Sequence, residues 1–87
     1  MAEVYLPATL PPLFVDLPRR VSVDAMSVAE AIEQLNKRWP GIQDRLCDPG
    51  PELRAHINVY VDRQPAELTS ALTETSRLDV VAAITGG

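Results

Sequence analysis

The sequence has one cysteine and one histidine among its 87 residues. Cys47 has no partner for an internal disulfide, which fits a reducing compartment. One cysteine and one histidine without a close carboxylate cluster form neither a zinc site nor a nucleophile and base pair. We therefore predict no metal site, a packing role for Cys47, and a surface position for His56 on the polar side of a strand.

The sequence also lacks a long apolar run and an excess of basic residues. No stretch approaches the roughly 20 apolar residues that span a bilayer, and the N-terminus lacks a signal-peptide pattern, so we expect a cytoplasmic protein without a membrane partner. The net charge is −4, and adjacent basic residues occur only at Arg19-Arg20, which we interpret as a solvated charge pair, and at Lys37-Arg38. Phosphate binding needs a basic patch, so nucleic acid is not an expected partner, and a basic protein surface fits better.

The length and the composition indicate one small domain. With 87 residues, of which 46% are hydrophobic, the chain has room for a single thin core and little space for an internal catalytic cavity.

One amphipathic helix is predicted after Ser27. Ser27 and Glu30 form a capping box, in which the serine hydroxyl accepts from the backbone N–H of residue 30 and the glutamate reaches back. Pro40-Gly41 ends the helix, and Ile42 to Leu46 is predicted to form a further short helical turn. The apolar side chains at the spacing of one helical face are Val28, Ala31, Ile32, Leu35 and Trp39.

The other apolar segments are predicted as strands. The final one is apolar on successive residues, which is typical of a strand in the middle of a sheet. The order strand, strand, helix, strand, short strand, strand predicts an α+β, β-grasp domain, with a mixed sheet of four to five strands and one main helix across one face. The first two strands are expected to form a hairpin. The strands are placed near Val4 to Leu6, at Arg20 to Val23, at Ile57 to Val61, around Glu67-Leu68 and at Leu78 to Ile84.

The sheet face opposite the helix has no second helix to cover it. Alternation along the two longest strands directs Tyr60 and Val81 away from the helix. We predict that both belong to an exposed apolar patch that docks a partner. The helix-facing set is predicted as Ile57, Val59, Val61, Leu78 and Val80.

Two glycines, Gly86 and Gly87, follow the last apolar run directly. We expect residues 1–84 to form the domain and residues 85–87 to form a flexible tail. Because glycine has no Cβ, such a tail can approach a partner's backbone closely and enter a narrow slot. The alternative is that the two glycines are ordinary terminal residues without a role.

Four segments, taken together, resemble the ThiS/MoaD family of ubiquitin-like sulfur carriers, and its CysO branch in particular. The resemblance extends over essentially the whole chain. Thr75-Ser76-Arg77 stands where the family usually has a Gly-Asp turn, and Ala82 and Thr85 stand where proline and alanine are usual. The segments that carry the resemblance are Pro40 to Ile42, Arg45 to Asp48, Leu53 to Asp62 and Ala82 to Gly87.

The resemblance implies that the chain is a sulfur donor rather than an enzyme. A separate adenylyltransferase/sulfurtransferase of the ubiquitin-activating type uses ATP to adenylate Gly87 and leaves a C-terminal thiocarboxylate. In this family role, Gly86 keeps the tail narrow, and Ile84 and Thr85 anchor the tail to the fold. The carrier itself binds no cofactor. A biosynthetic acceptor enzyme, for cysteine or a thio-containing natural product, then receives the sulfur.

Other functions use the same fold. The chain could be the small subunit of molybdopterin synthase, a ubiquitin-like protein modifier, or a simple binding domain. Lys37 is the only lysine, so self-conjugates could grow at one side chain or at the N-terminus, which disfavours the modifier. The sequence does not separate the carrier from the synthase subunit.

Overall fold

A computed structural model of the chain describes residues 1–82 and has a five-stranded mixed sheet with one main helix. The predicted α+β, β-grasp arrangement is confirmed. The predicted tail, residues 85–87, lies outside the described residues. In chain order the elements are β1 (Ala2–Tyr5), a 3-10 turn (Pro11–Leu13), β2 (Arg20–Val23), α1 (Val28–Arg38), α2 (Ile42–Leu46), β3 (Cys47–Asp48), β4 (Glu52–Leu53), β5 (Ile57–Val61), β6 (Gln64–Ala66) and β7 (Arg77–Ala82).

The last strand, β7, lies in the middle of the sheet, as its continuous apolar sequence predicted. The strand order is β2-β1-β7-β5-β6. β1 runs parallel to β7 and antiparallel to β2, and β5 runs antiparallel to both β7 and β6. The predicted hairpin of the first two strands is confirmed.

The core lies between α1 and the inner face of the sheet. Val4 is paired with Val21 on one side and Leu78 on the other, and Val59 is paired with Val80. All five side chains are buried, because alternation places them on the same face. The predicted helix face joins the same cluster: Val28, Ala31, Ile32 and Leu35 are buried, and Trp39 packs against it in part.

The first turn of α1 is capped by one side chain and by a distant loop. The Ser27 hydroxyl accepts from the Glu30 N–H at 3.2 Å, which confirms the cap. The N–H groups of Val28 and Ala29 donate to the carbonyls of Ser70 and Leu68. These bonds satisfy the amides that a helix start leaves unpaired. Within residues 1–82 no hydrogen bond runs from the Glu30 carboxylate back to Ser27, so only one half of the predicted capping box forms.

The short strand predicted around Glu67-Leu68 is wrong, because the chain turns back earlier. Asp62 and Arg63 have φ of 48° and 71° and form a two-residue turn, so β6 pairs with β5 from Gln64 onward. The Asp62 carboxylate accepts from the Arg77 N–H at 2.9 Å, and its own N–H donates to the Arg77 carbonyl at 2.8 Å. Contacts to β7 thus hold a turn that has no glycine.

None of the helices in residues 1–82 is long and apolar enough to cross a membrane.

Candidate partner-binding surface

The sheet face opposite α1, called here the outer face, carries both predicted docking residues. Tyr60 lies opposite Asp79 and Val81 lies opposite Asn58, so Tyr60 and Val81 are diagonal neighbours across β5 and β7. Val81 is 42% exposed, and Tyr60 is half-buried. The outer face comprises Glu3, Tyr5, Arg20, Ser22, Asn58, Tyr60, Arg77, Asp79 and Val81.

The outer face is not the apolar patch that the sequence predicted, because ion pairs cross it. Arg77 contacts Asp79 at 3.0 Å, and its guanidinium lies 4.0 Å from the centre of the Tyr5 ring. Glu3 accepts from the Ser22 hydroxyl at 2.8 Å and pairs with Arg20 at 3.7 Å. Such surface pairs contribute little to stability, but they fix the side chains that frame Tyr5, Tyr60 and Val81. The surface therefore combines aromatic and aliphatic contacts with ordered charges.

Within residues 1–82, the end of β7 is paired with a neighbouring strand on one side only. The ladder between β1 and β7 ends at Tyr5 and Asp79, whereas the ladder between β5 and β7 continues to Ile57 and Ala82. Pro7, which has no N–H to donate, follows shortly after β1. A groove of about 280 Å³ lies beside this end of β7, lined in part by Tyr5, Pro7 and Val81. The described end of β7 therefore lies at the centre of the sheet, next to the outer face.

Ile84 and the predicted tail residues Thr85, Gly86 and Gly87 lie outside the described residues. The structure thus brings together Tyr60 and Val81 and places the last described residue, Ala82, beside them. Tyr5, Arg77 and Asp79 were missed, although their alternation within β1 and β7 was a signal that could have placed them on the outer face.

The other two candidate residues, Cys47 and His56, do not form a catalytic or metal site within residues 1–82. Cys47 is 6% exposed, so its predicted packing role is confirmed. Burial raises the pKa of its thiol, which keeps it protonated and a poor nucleophile. His56 is exposed, but it lies in the turn before β5 and not within the strand. In the part of the chain from residue 1 to 82, no three His, Cys, Asp or Glu side chains are arranged to hold a metal ion.

The two arginines predicted to be a solvated pair are both exposed, and each contacts β1 or the residue after it. Arg19 Nε lies 3.4 Å from the Leu6 carbonyl oxygen, and Arg20 pairs with Glu3. They therefore help to hold β2 beside β1 in addition to carrying charge.

Solved structures with the same fold match the chain over nearly its full length. A chain of the Amycolatopsis orientalis BexX/CysO complex has 25% sequence identity and a TM-score of 0.88, with 100% of both chains covered. CysO of Mycobacterium tuberculosis has 23% identity and a TM-score of 0.85, covering 97% of this chain and 100% of that one. SAMP1 of Haloferax volcanii has 29% identity and a TM-score of 0.77, covering 99% and 98%. No curated protein sequence matches the chain.

The fold and these neighbours define a ubiquitin-like carrier of the β-grasp class. The ThiS family model matches residues 14–87, and the chain belongs to the ThiS family. It is a ubiquitin-like sulfur carrier of the ThiS/MoaD type, as the sequence resemblance indicated.

Proposed function

We propose that this carrier accepts sulfur as a thiocarboxylate on Gly87 and donates it to a biosynthetic acceptor enzyme. The observation that carries the proposal is that the family match continues through Gly86 and Gly87. A carboxylate is a poor electrophile, so the proposed route begins with attack of the Gly87 carboxylate on the α-phosphate of ATP, held by a separate enzyme. Pyrophosphate leaves, a sulfide-level donor attacks the carbonyl carbon of the adenylate, and AMP leaves.

The proposed partners are an adenylyltransferase/sulfurtransferase of the ubiquitin-activating type and an acceptor enzyme that makes cysteine or a thio-containing natural product. The neighbour crystallised in the BexX/CysO complex supports binding to other proteins. Five residues separate Ala82 from the end of Gly87, and an extended chain of that length spans at most about 18 Å. An enzyme that acts on Gly87 must therefore approach the fold near the end of β7. We propose that it docks on Tyr60 and Val81.

A protein modifier is the second candidate, because the chain shares 29% identity with SAMP1, named as a small archaeal modifier protein. Both functions begin with an adenylated Gly87, and they differ in the acceptor. Trypsin cuts after Arg77, so a conjugated lysine would retain residues 78–87 as a branch. A host digest without such branched peptides, together with thiocarboxylate on the free protein, separates the carrier from the modifier.

Sulfur loading tests the proposal. The protein is incubated with the activating enzyme of its host, ATP and a sulfur donor, and its intact mass is recorded. We expect an increase that matches replacement of one oxygen by sulfur, and no increase when ATP is omitted. An unchanged mass with every competent activating enzyme would contradict the carrier function. Copurification of a lasting complex with a large catalytic subunit would instead favour the small subunit of molybdopterin synthase.

A further inference from the structure

A second groove, called here the tail-side groove, lies where β5 begins and β7 ends. Its volume is about 230 Å³. Ala82, the last described residue of β7, is part of its wall, so an occupant would lie within reach of the C-terminus. The groove is lined by Pro7, Thr9, Leu10, Leu13, Arg45, Arg54, His56, Ile57 and Ala82.

The tail-side groove has an aliphatic wall on a fixed segment. Leu13 is 52% exposed although the 3-10 turn holds it in place. The Leu13 N–H donates to the Leu10 carbonyl at 2.9 Å, and the Leu10 N–H donates to the Pro7 carbonyl at 3.1 Å. Pro11 and Pro12 restrict the same backbone further. Leu13 and Ile57 can therefore bury an aliphatic side chain of an occupant without first becoming ordered.

Three basic side chains, Arg45, Arg54 and His56, line the same groove. Arg54 is held by two contacts, from Nε to the Asp44 carbonyl at 2.8 Å and from Nη1 to the Asp48 carboxylate at 3.3 Å. A guanidinium has five N–H donors, so Arg54 keeps further donors for an anion. Arg45 is exposed in the last turn of α2. Aliphatic side chains and cationic groups are thus presented together.

The charge of the tail-side groove is opposite to that of the chain. The net charge is −4, yet among residues 1–82 none of those that line this groove is acidic. Four other grooves on the surface of residues 1–82 each include a carboxylate. These carboxylates belong to Glu52 and Glu67, to Asp79, to Asp24 and Glu74, and to Glu33. Charge complementarity therefore favours an anionic occupant here, and the aliphatic wall favours a peptide over a small anion.

We propose that the tail-side groove binds an acidic, aliphatic segment of the protein that acts on the carrier's C-terminus. The identity of that partner rests on the proposed function, whereas the chemistry of the bound segment rests on the groove. A carboxylate of the segment pairs with Arg45 and Arg54, and its aliphatic side chain packs on Leu13 and Ile57. This contact fixes the partner beside β7, within the roughly 18 Å that residues 83–87 can span.

The test is an NMR titration of the full chain with a capped peptide of alternating glutamate and leucine. We expect saturable amide shifts centred on Leu10, Leu13, Arg54 and Ile57. A capped peptide in which lysine replaces glutamate is expected to leave these amides unshifted. Shifts confined to the outer face, equal shifts with the lysine peptide, or no saturable shift would overturn the proposal. Amide shifts in this groove when the protein alone is concentrated, without saturable peptide binding, would identify a second copy as the occupant and overturn it as well.

Charge-reversal variants test whether the basic side chains of the groove contribute to peptide binding. Arg45→Glu is expected to weaken binding of the glutamate peptide about two- to tenfold, because a favourable pair becomes a repulsive one. Arg63→Glu makes the same change past the opposite end of β5, which is about 13 Å long from Ile57 to Val61, so salt screens the charge there. Equal affinity of wild type and Arg45→Glu would overturn the proposal. The titration needs no sulfur chemistry, so a protein that fails to load sulfur still gives a defined result here.

Discussion

At the scale of single residues, Asn36 joins the two helices. Its Oδ1 accepts from the N–H groups of Gly41 and Gln43, both at 3.1 Å. Gly41 has φ of 102°, a conformation that side chains with a Cβ rarely adopt. The glycine therefore permits the sharp bend after α1, and the asparagine supplies the acceptor that the first amides of α2 need.

Asn36→Ala is expected to lower the free energy of unfolding by about 1–2 kcal/mol, because two half-buried N–H groups lose their acceptor. Asn36→Asp keeps an acceptor at the same place and is the matched control. Urea unfolding at neutral pH measures both. Equal stability of Asn36→Ala and wild type would contradict the role of Asn36 as the link between the helices.

The burial of Cys47 predicts that the stability of the fold depends on pH. Burial raises the pKa of its thiol in the folded protein, so the unfolded chain releases this proton first as the pH rises. The contribution of the buried thiol to the free energy of unfolding is therefore fully present below its ordinary pKa of 9.0. It is lost as the pH rises above that value. We expect the stability difference between wild type and Cys47→Ala to shrink from about pH 7 to about pH 10. A constant difference would contradict the assigned cause.

Cys47→Ser provides a separate functional check. Sulfur resides on the Gly87 carbonyl in our proposal, so this variant, once folded, is expected to load sulfur like the wild type. The intact-mass assay measures it. A folded Cys47→Ser protein that cannot carry sulfur would contradict the proposal that the sulfur is bound at the C-terminus.

At the scale of elements, the sequence predicted the helix and the strands whose positions depend on local residue patterns. The 3.6-residue period and Ser27 located α1, and the run of successive apolar residues placed β7 in the middle of the sheet. β6 was misplaced, because the turn at Asp62 and Arg63 carries no glycine and depends on bonds to Arg77. Those bonds join residues that are distant in sequence, so a local residue pattern does not predict them.

The outer-face residues of strands β5 and β7 carry the docking prediction. Tyr60→Asp and Val81→Glu are each expected to weaken binding of the activating enzyme about five- to thirtyfold, as loss of an interface anchor does. Val15→Glu is the matched control, because Val15 is 84% exposed and does not belong to the outer face. Binding is measured by calorimetry, with circular dichroism to verify folding. Undiminished affinity of both folded variants would refute docking at this site.

At the scale of the whole molecule, the sequence predicted the family but not the distribution of charge. Arg77, Asp79 and Glu3 meet on the outer face through the pairing of β1 with β7. Arg45, Arg54 and His56 meet at the tail-side groove although they come from α2 and from the loop between β4 and β5. Such clusters depend on long-range register and loop packing, which residue spacing alone does not contain. They distinguish the outer face from the tail-side groove at the end of β7.

Deletion of Gly87 tests the central claim most directly, because it separates the fold from the chemistry at the C-terminus. The deletion removes no apolar side chain, so the free energy of unfolding is expected to change by less than about 0.5 kcal/mol. It withdraws the carboxylate by roughly 3.3–3.6 Å, about the distance of a near-attack contact with the α-phosphate of ATP. Adenylation, followed as ATP-dependent pyrophosphate release beside the intact-mass assay, is therefore predicted to vanish in a protein as stable as the wild type. A truncated protein that is adenylated at the normal rate would contradict the account.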